Sequence, residues 1–457
     1  MIVVFAILLT SISSQIDYNH KRIIEIASLV TIMLISIKYR YNYPTTNTRT
    51  QLFYLLITIL GLLSSLFSNS PKHALIEFLT FLSLSIVVVN ISPAWKSNQF
   101  FIISTSSLIL SMLIIETTFL SIYIAYIISN NNFSIHEFFP SYANVRFFNQ
   151  FQIWTMPFIS FILLQKHTLL KKYNVGIWMV FGIWWLIFFS TGSRGVIISE
   201  LITTIIIGYF FKGQIKDLSN VTIKLVVFGF TSYQLLFHLL PNILNYNSSL
   251  LISSLEIRTN TADRMFLWNK AFQFIIENPL LGIGPMHYAW SDIQNTSTLN
   301  SITHPHNSLL QWGAEWGLCS LILILILYIK ALRKWFNKFN IKALSHLDKN
   351  QSNLVITVTI SIISASIYSL LSGVIVMPSS QITAILPISL MIFLYHPPTP
   401  TPTTTDGRCF IKHFFTIAIP TLYIYLLIPD LIPILFKQNT IIEVHQHNPR
   451  FWIDGRF

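Results

Sequence analysis

A succession of apolar runs, each close to 20 residues long, dominates this sequence of 457 residues. A helix needs about 20 apolar residues to cross the hydrocarbon of a bilayer, with a range of about 17–25. The runs lie at about 1–14, 22–38, 51–68, 74–92, 100–128, 150–165, 174–191, 195–211, 221–240, 307–330, 353–372, 380–396 and 412–435. The sequence therefore predicts an all-α polytopic membrane protein with about 12–13 transmembrane helices.

The composition agrees with this class, since only 10% of the residues are charged against about 25% in a soluble domain. The net charge of +12 does not indicate nucleic-acid binding, because most basic residues lie between apolar runs, where they set orientation. Cys319 and Cys409 offer neither a metal-ligand spacing nor a disulfide framework. We therefore expect no nucleic-acid partner, no metal site and no cofactor.

The distribution of Lys and Arg predicts the orientation of the chain. Segment 331–350 is the most basic, which places it in the cytoplasm. Alternation then puts most of the 29 Lys and Arg residues on that side, with the N-terminus inside and the C-terminus outside. The first run lacks a basic region and a cleavage site, so we interpret it as a span. The chain divides into N-terminal spans (1–240), an outer loop (241–306), C-terminal spans (307–436) and an outer tail (437–457).

Two outer segments, 129–149 and 241–306, are too long for simple turns, and long structured loops are usually functional. Within the second, residues 262–277 predict a helix that Asn260 or Thr261 could cap. Its apolar residues recur at helical spacing, at Met265, Trp268, Phe272 and Ile275 or Ile276. This pattern favours an amphipathic helix lying on the outer face of the membrane.

The sequence His304-Pro305-His306-Asn307 stands where the long outer loop enters the next span. Gln311 and Glu315 follow on the same helix, and polar residues inside a membrane are costly and usually functional. A neutral histidine near the outer surface can accept a proton from an attacking hydroxyl. A solvated loop histidine is the alternative. Glu315 either orients His306 or is satisfied by a neighbouring helix.

Several arginines are predicted on the outer side, against the usual trend. In the turn around Gly192 and Ser193, backbone N–H groups can approach an anion. The guanidinium group of Arg194 can add bidentate hydrogen bonds to a phosphate. The other outer arginines considered are Arg146, Arg258 and Arg264. Each alone could contact a lipid headgroup or pack a turn. Together they favour a site for a polyanion, and a lipid-linked pyrophosphate fits that charge and location.

Other function classes are less well supported by the sequence. There is no D-x-D, no G-x-x-x-x-G-K-[ST] and no G-x-S-x-G sequence, so nothing indicates a metal–nucleotide-sugar site, ATP coupling or a hydrolase elbow. A transporter of lipid-linked glycans would bind near the midplane, with charges deep in the spans. The clearest charged residues in the spans are Glu25, Glu77, Glu116, Glu200 and Glu315. The outer positive cluster favours surface chemistry over transport or a scaffold role.

The stretch from Asn269 to Leu318, NKAFQFIIENPLLGIGPMHYAW followed by HPHNSLLQWGAEWGL, resembles the superfamily of O-antigen ligases, O-antigen polymerases and bacterial protein O-oligosaccharyltransferases. The ligase signature of that superfamily is met by His306, Asn307, nine residues and Gly317. Ser320 departs from its last position, which is Gly, Thr or Tyr. The arginine that precedes a leucine by four residues is met approximately by Arg194 and Ile198.

The resemblance implies a multi-pass transferase of the bacterial inner membrane, with its active site in the periplasm. It would act on an undecaprenyl-pyrophosphate-linked glycan, without metal or ATP. Its acceptor would be lipid A-core in ligases, a Ser or Thr of a protein such as pilin in oligosaccharyltransferases, or a second lipid-linked glycan in polymerases. The runs HPHNSLLQWGAEWGL and RFFNQFQ are most similar to pilin-type protein O-glycosylation ligases.

The same resemblance implies roles for the residues of the site. His306 and Arg194 would be catalytic, and the preference for His306 over His304 rests on the signature. Binding of the pyrophosphate would fall to Arg146, Arg258, Arg264, Gly192 and Ser193. Supporting roles would fall to His304, Asn307, Gln311 and Glu315.

Overall fold

The computed structural model describes residues 2, 6–7, 18–36, 48–129, 135–142, 145–165, 174–244, 261–290, 304–397 and 417–429. In these ranges every regular element is a helix, which confirms the all-α membrane class. The main helices are α1 (Tyr18–Ser36), α2 (Thr48–Leu66), α3 (Pro71–Ile91), α4 (Asn98–Ser129), α5 (Val145–Leu164), α6 (Asn174–Ser190), α7 (Arg194–Phe211), α8 (Lys216–Ile243), α9 (Thr261–Glu277), α10 (Ser308–Lys338), α11 (Lys349–Ser369), α12 (Pro378–Tyr395) and α13 (Ile417–Pro429).

Nine helices of the described ranges are long and apolar enough to cross a membrane: α2, α3, α4, α5, α7, α8, α10, α11 and α12. Two shorter apolar helices, at Val175–Ser190 and Ile417–Pro429, match two further predicted runs. The predicted run at 22–38 corresponds to α1. The predicted run at 1–14 lies almost wholly outside the described residues, as does the tail at 437–457.

Two predicted boundaries differ from the structure. Arg146 and its neighbours, predicted as part of the loop 129–149, form the first turn of α5. This turn is helical because its side chains, such as Phe147 and Asn149, are buried on several sides and not only on one stripe. At its other end α10 continues to Lys338, into the predicted basic loop. Lys330 there lies 4.6 Å from the centre of the Phe53 ring, so its long side chain covers apolar surface.

Helices α5 and α11 form the buried centre of the bundle. Both pack along their length, α11 against α5, α7 and α12, and α5 also against α8 and α12. Hydrogen bonds between buried side chains and main chain join them, as between Ser361 Oγ and the Trp154 carbonyl at 2.8 Å. The start of α5 and the end of α11 therefore have fixed relative positions, and both carry residues of the site described below.

Helix α10 is broken at Gly317, whose φ is 80° and ψ is 162°. The segment 279–284 fills the break. Its backbone pairs with α10 through Ile283 N to the Ala314 carbonyl at 2.9 Å, and through Leu318 N to the Pro279 carbonyl at 2.8 Å. A Cβ on Gly317 would lie 2.2 Å from the Leu280 carbonyl oxygen. The glycine of the sequence signature is thus required by a left-handed backbone and a close backbone contact.

Helix α9 was predicted correctly at 262–277 but has a second packed face. Leu267, Ala271 and Ile275 are buried against α10. Ile275 thus leaves the predicted membrane-facing stripe, while Phe272 and Ile276 stay exposed. The helix does not simply lie on a surface, because one of its faces is docked on the span that follows the site.

Candidate functional site

The turn that carries His306 is fixed from three sides. His306 has a φ of 54°, a conformation that is uncommon for a residue other than glycine. Its backbone N–H donates to Nδ1 of His304 at 3.2 Å. The side chain of Asn307 caps α10 by accepting from the N–H groups of Leu309 and Leu310 at 3.0 and 3.1 Å. Trp268 of α9 donates to the Pro305 carbonyl at 3.1 Å. His306 is therefore held in a fixed position just before the N-terminus of α10.

The two histidines of this turn have different surroundings. His304 is only 3% exposed. Its ring packs so closely on Gly373 that a Cβ added to this glycine would lie 2.8 Å from the ring atoms. His306 is half-buried, and the two ring centres are 4.2 Å apart. Within the described ranges the ring nitrogens of His306 have no hydrogen-bond partner. The geometry thus gives His304 a packing role and leaves the His306 ring available for chemistry.

Two arginines from separate helices set the electrostatics of His306. Burial, together with the positive charges of Arg146 and Arg264, lowers the pKa of His306 to about 3. Arg146 lies in the first turn of α5 and Arg264 in the first turn of α9, and both are half-buried. Neutral His306 is therefore the form present at neutral pH, beside a positive region that suits an anion.

Tyr368, at the C-terminal end of α11, is a site residue that the sequence reasoning missed. It is buried, its hydroxyl is hydrogen-bonded to Ser193 and Ser372, and it lies in the field of the same two arginines as His306. Gly195 allows this approach, since a Cβ there would be 3.0 Å from the Tyr368 ring. Tyr368 stands within an apolar run, so only the small polar residues around it, such as Ser369 and Ser372, could have marked the position.

The predicted turn at Gly192 is present and is tied to α5. Gly192 has a φ of 59°, and Asn149 Nδ2 donates to the Thr191 hydroxyl at 3.1 Å. Ser193 faces Tyr368, whereas Arg194 begins α7 with an exposed side chain. Arg258 lies outside the described residues. The structure thus joins Ser193, Arg146 and Arg264 to the histidine turn and leaves Arg194 at its margin.

Glu315 and Gln311 are buried below the turn, in α10. Gln311 Nε2 donates to Glu315 Oε2 at 3.3 Å, and the backbone N–H of Tyr288 donates to Glu315 Oε1 at 3.2 Å. These contacts favour the alternative in which Glu315 is satisfied by neighbouring chain and anchors the loop segment at 285–290. Among the residues with described positions, no group of three or more His, Cys, Asp or Glu could hold a metal ion.

Part of the chain is similar in sequence to known proteins. Residues 179–325 match the family model described as O-antigen ligase. A Rickettsia conorii protein provisionally named a polysaccharide ligase is 32% identical over 103 residues, which cover 20% of this chain and 25% of the relative. The chain thus spans about a quarter of the length of that relative.

These matches confirm the resemblance to the O-antigen ligase superfamily, which the family model finds in residues 179–325. The matched region holds Ser193, Arg264, His306 and Gly317, and ends within α10. Arg146 and Tyr368 lie outside it, on α5 and α11, so the site described above extends beyond the matched region.

Proposed function

We propose that this protein transfers a glycan from an undecaprenyl-pyrophosphate carrier to an acceptor hydroxyl. The observation that carries this proposal is the available His306 ring beside Arg146 and Arg264, which come from separate helices. A histidine can receive the proton of a hydroxyl nucleophile. Fixed cationic groups can stabilise the charge of a leaving pyrophosphate. The family match over residues 179–325 supports a ligase of this kind.

The reaction is a displacement at C1 of the sugar attached to the carrier. The acceptor oxygen forms a bond to C1, and the bond from C1 to the phosphate oxygen breaks with its electron pair going to the pyrophosphate. The acceptor proton passes to His306. Arg146 and Arg264 offset the developing negative charge, and Arg194 and Arg258 contribute further positive charge to binding of the pyrophosphate. Attack from the face opposite the leaving group inverts the configuration at C1.

Binding of the donor also prepares the base in this proposal. A histidine with a pKa of about 3 is a weak base at neutral pH, because its protonated form is disfavoured by the two arginines. A pyrophosphate placed beside Arg146 and Arg264 adds opposite charge and raises the pKa of His306. Proton transfer is then favoured only when the donor occupies the site. Neither a metal nor ATP is needed for these steps.

The acceptor we put first is a Ser or Thr of an exported protein such as pilin. The support is the similarity of HPHNSLLQWGAEWGL and RFFNQFQ to pilin-type ligases. Lipid A-core is the second acceptor, because the family description is O-antigen ligase and the resemblance implies that acceptor for ligases. A second lipid-linked glycan is the third.

We place the protein in a bacterial inner membrane, with the site at the periplasmic face, the N-terminus in the cytoplasm and the C-terminus in the periplasm. The distribution of Lys and Arg supports this orientation. Contacts between segments predicted on the same side agree with it. One joins the Ser70 N–H to His287 Nε2 at 2.9 Å, and another packs His304 against Gly373.

The test compares acceptors from cells with and without this protein, by mass. Loss of glycan mass from an exported protein would identify a protein oligosaccharyltransferase, and loss of the O-chain from lipopolysaccharide would identify a lipid A-core ligase. A change in chain length alone would identify a polymerase. If every acceptor is unchanged, or if the lipid-linked donor accumulates on the cytoplasmic side, the transfer proposal fails and transport replaces it.

A further inference from the structure

A second group of buried charges lies outside the site, at the start of α1. Arg22 is 0% exposed. Its Nη1 donates to Glu25 Oε2 at 2.7 Å and to Gln381 Oε1 at 2.5 Å, and its Nη2 donates to the carbonyl of Val376. Charged groups buried in a membrane protein are costly and usually have a function. The ion pair with Glu25 offsets the cost of burial but does not account for the other two bonds.

Those two bonds hold the segment between α11 and α12, residues 370–377. Arg22 binds the carbonyl of Val376 directly. Gln381, which accepts from Arg22, donates through Nε2 to the adjacent carbonyl of Ile375 at 2.7 Å. Two consecutive carbonyls of one short segment are thus bound by a single arginine and its amide partner. This arrangement fixes the path of the backbone rather than merely filling a space.

The other end of the same segment forms a wall of the site. Gly373 receives the His304 ring, with so little room that a Cβ would be 2.8 Å from it. Ser372 is hydrogen-bonded to Tyr368 and, at 2.8 Å, to the amide of Gln150. Nδ1 of His304 in turn accepts the backbone N–H of His306. A displacement of residues 372–376 would therefore be transmitted to His304 and to the His306 backbone.

The neighbouring residue, Lys21, makes a parallel contact on the opposite flank. It is also 0% exposed, donates to the carbonyl of Ser141 and lies 4.2 Å from the centre of the Tyr142 ring. Ser141 and Tyr142 precede α5, whose first turn carries Arg146. Lys21 and Arg22, which are adjacent in α1, therefore bind two segments next to the site. One is residues 370–377, which pack on the histidine turn, and the other precedes Arg146.

We propose that Arg22 is a positioning residue of the site: it holds residues 370–377 against His304 and thereby sets the position of His306. This inference rests on the proposed glycan transfer for its kinetic consequence. Arg22 touches no reacting group in this proposal, and its effect passes through Gln381, Val376 and Gly373. A purely structural ion pair, which would stabilise α1 without setting the site, is the competing explanation.

The kinetic test uses the full-length protein in lipid nanodiscs. The donor is lipid-linked glycan extracted from cells that lack this protein. Arg22→Met alone strands the Glu25 carboxylate, so the double variant Arg22→Met/Glu25→Gln is measured beside it. Glu116→Gln is the matched control, because Glu116 carries a buried carboxyl group in α4, 2% exposed, with no described bond to residues 370–377.

We expect kcat to fall about 10–10²-fold in both Arg22→Met proteins, since small misplacements at a reacting centre have effects of this size. KM for the donor should stay within about twofold, because Arg146 and Arg264 are untouched. Arg22→Lys should recover part of kcat, and Glu116→Gln should keep it. A loss explained entirely by less folded protein, or confined to KM, would overturn the proposal.

A second measurement does not depend on glycan transfer. Hydrogen exchange followed by mass spectrometry reports the backbone of residues 370–377 and of the peptide that holds His304 and His306. We expect several-fold faster exchange in both peptides for Arg22→Met/Glu25→Gln, and wild-type exchange for Glu116→Gln. Unchanged exchange in the histidine peptide would refute the positioning role even if wild-type protein transfers glycan. Faster exchange without any wild-type transfer would instead leave the structural link intact and refute the proposed function.

Discussion

His287 and His306 lie in the same predicted loop, 241–306, but their rings have opposite hydrogen-bonding situations. His287 is 1% exposed, its Nδ1 donates to the Pro285 carbonyl at 3.0 Å, and its Nε2 accepts the Ser70 N–H at 2.9 Å. His306 is half-buried, has no hydrogen-bond partner for its ring in the described part of the chain, and lies beside Arg146 and Arg264.

The difference shows how a structural histidine is told from a reactive one. Burial alone does not separate them, because both rings are removed from much of the solvent. The separation comes from the hydrogen-bond capacity of the ring nitrogens, which His287 has used completely. A neutral ring with both nitrogens hydrogen-bonded, as in His287, fixes the position of the chain segments that it joins. A ring without such bonds beside arginines, as in His306, can contact a substrate.

The largest expected effect tests the reactive member of the pair. His306→Ala should lower glycan transfer by about 10²–10⁴-fold, because the proton acceptor is lost. The rate of transfer by purified protein, at matched concentration, checks this. His346→Ala is the control, since that histidine is exposed in the short helix Ile341–His346. Wild-type transfer by the His306→Ala protein at equal level would remove His306 from the mechanism.

The next effect concerns the cations that distinguish His306 from His287. Arg146→Gln and Arg264→Gln should each lower transfer by about 10²–10³-fold, since each removes a fixed donor to the leaving group. Arg194→Gln should cause a smaller loss, because Arg194 is exposed at the margin of the site. Kinetics of the three variants with one donor preparation decide the order. An Arg194→Gln protein as impaired as the other two would return Arg194 to the centre of the site.

A smaller effect, on stability and not on rate, is expected at His287. His287→Ala removes the partner of the half-buried Ser70 N–H and of the buried Pro285 carbonyl, which costs about 1–3 kcal/mol. The thermal unfolding midpoint in detergent should fall, while kcat per folded molecule is retained. A drop in kcat with an unchanged midpoint would mean that the two histidines do not differ in the way described.

The last expected effect is a change in the pH dependence of stability. The pKa of His306 is lowered from 6.5 to about 3 in the folded protein, so the unfolded chain binds the additional proton first as pH falls. The contribution of neutral His306 to the free energy of unfolding is therefore complete above about pH 6.5. It is lost progressively as the pH falls from there to about 3. The midpoint of wild-type protein should fall more steeply from pH 7 to 4 than that of His306→Gln. Parallel slopes would contradict the environment assigned to His306.

Local patterns in the sequence predicted the spans, helix α9 and the position of His306 and Asn307 at the start of α10. These features depend on the length of apolar runs and on helix-capping residues, which neighbours along the chain determine. The glycine turn at Gly192 was predicted for the same reason, since it is set by two or three adjacent residues.

Features that depend on packing between distant helices were not predictable. Tyr368 resembles any aromatic residue of a span until α7 brings Ser193 against it. The sequence predicted a loop at Arg146. Burial against other helices stabilises the helical turn there, and no local sequence pattern marks it. Lys21 and Arg22 lie beside the start of the predicted run at 22–38, and their buried state depends on carbonyls more than a hundred residues away in the chain.

The pairing of residues 279–284 with the break in α10 has a consequence for biosynthesis. Ribosomes complete this segment before α10 exists, so its partners, the carbonyls of Ala314 and Glu315, are absent when it first emerges. The loop can reach its final hydrogen bonding only after α10 has been inserted by the translocation machinery. Maturation of the histidine turn is thereby coupled to a late membrane insertion event, and a nascent chain that stops before α10 carries an unassembled loop.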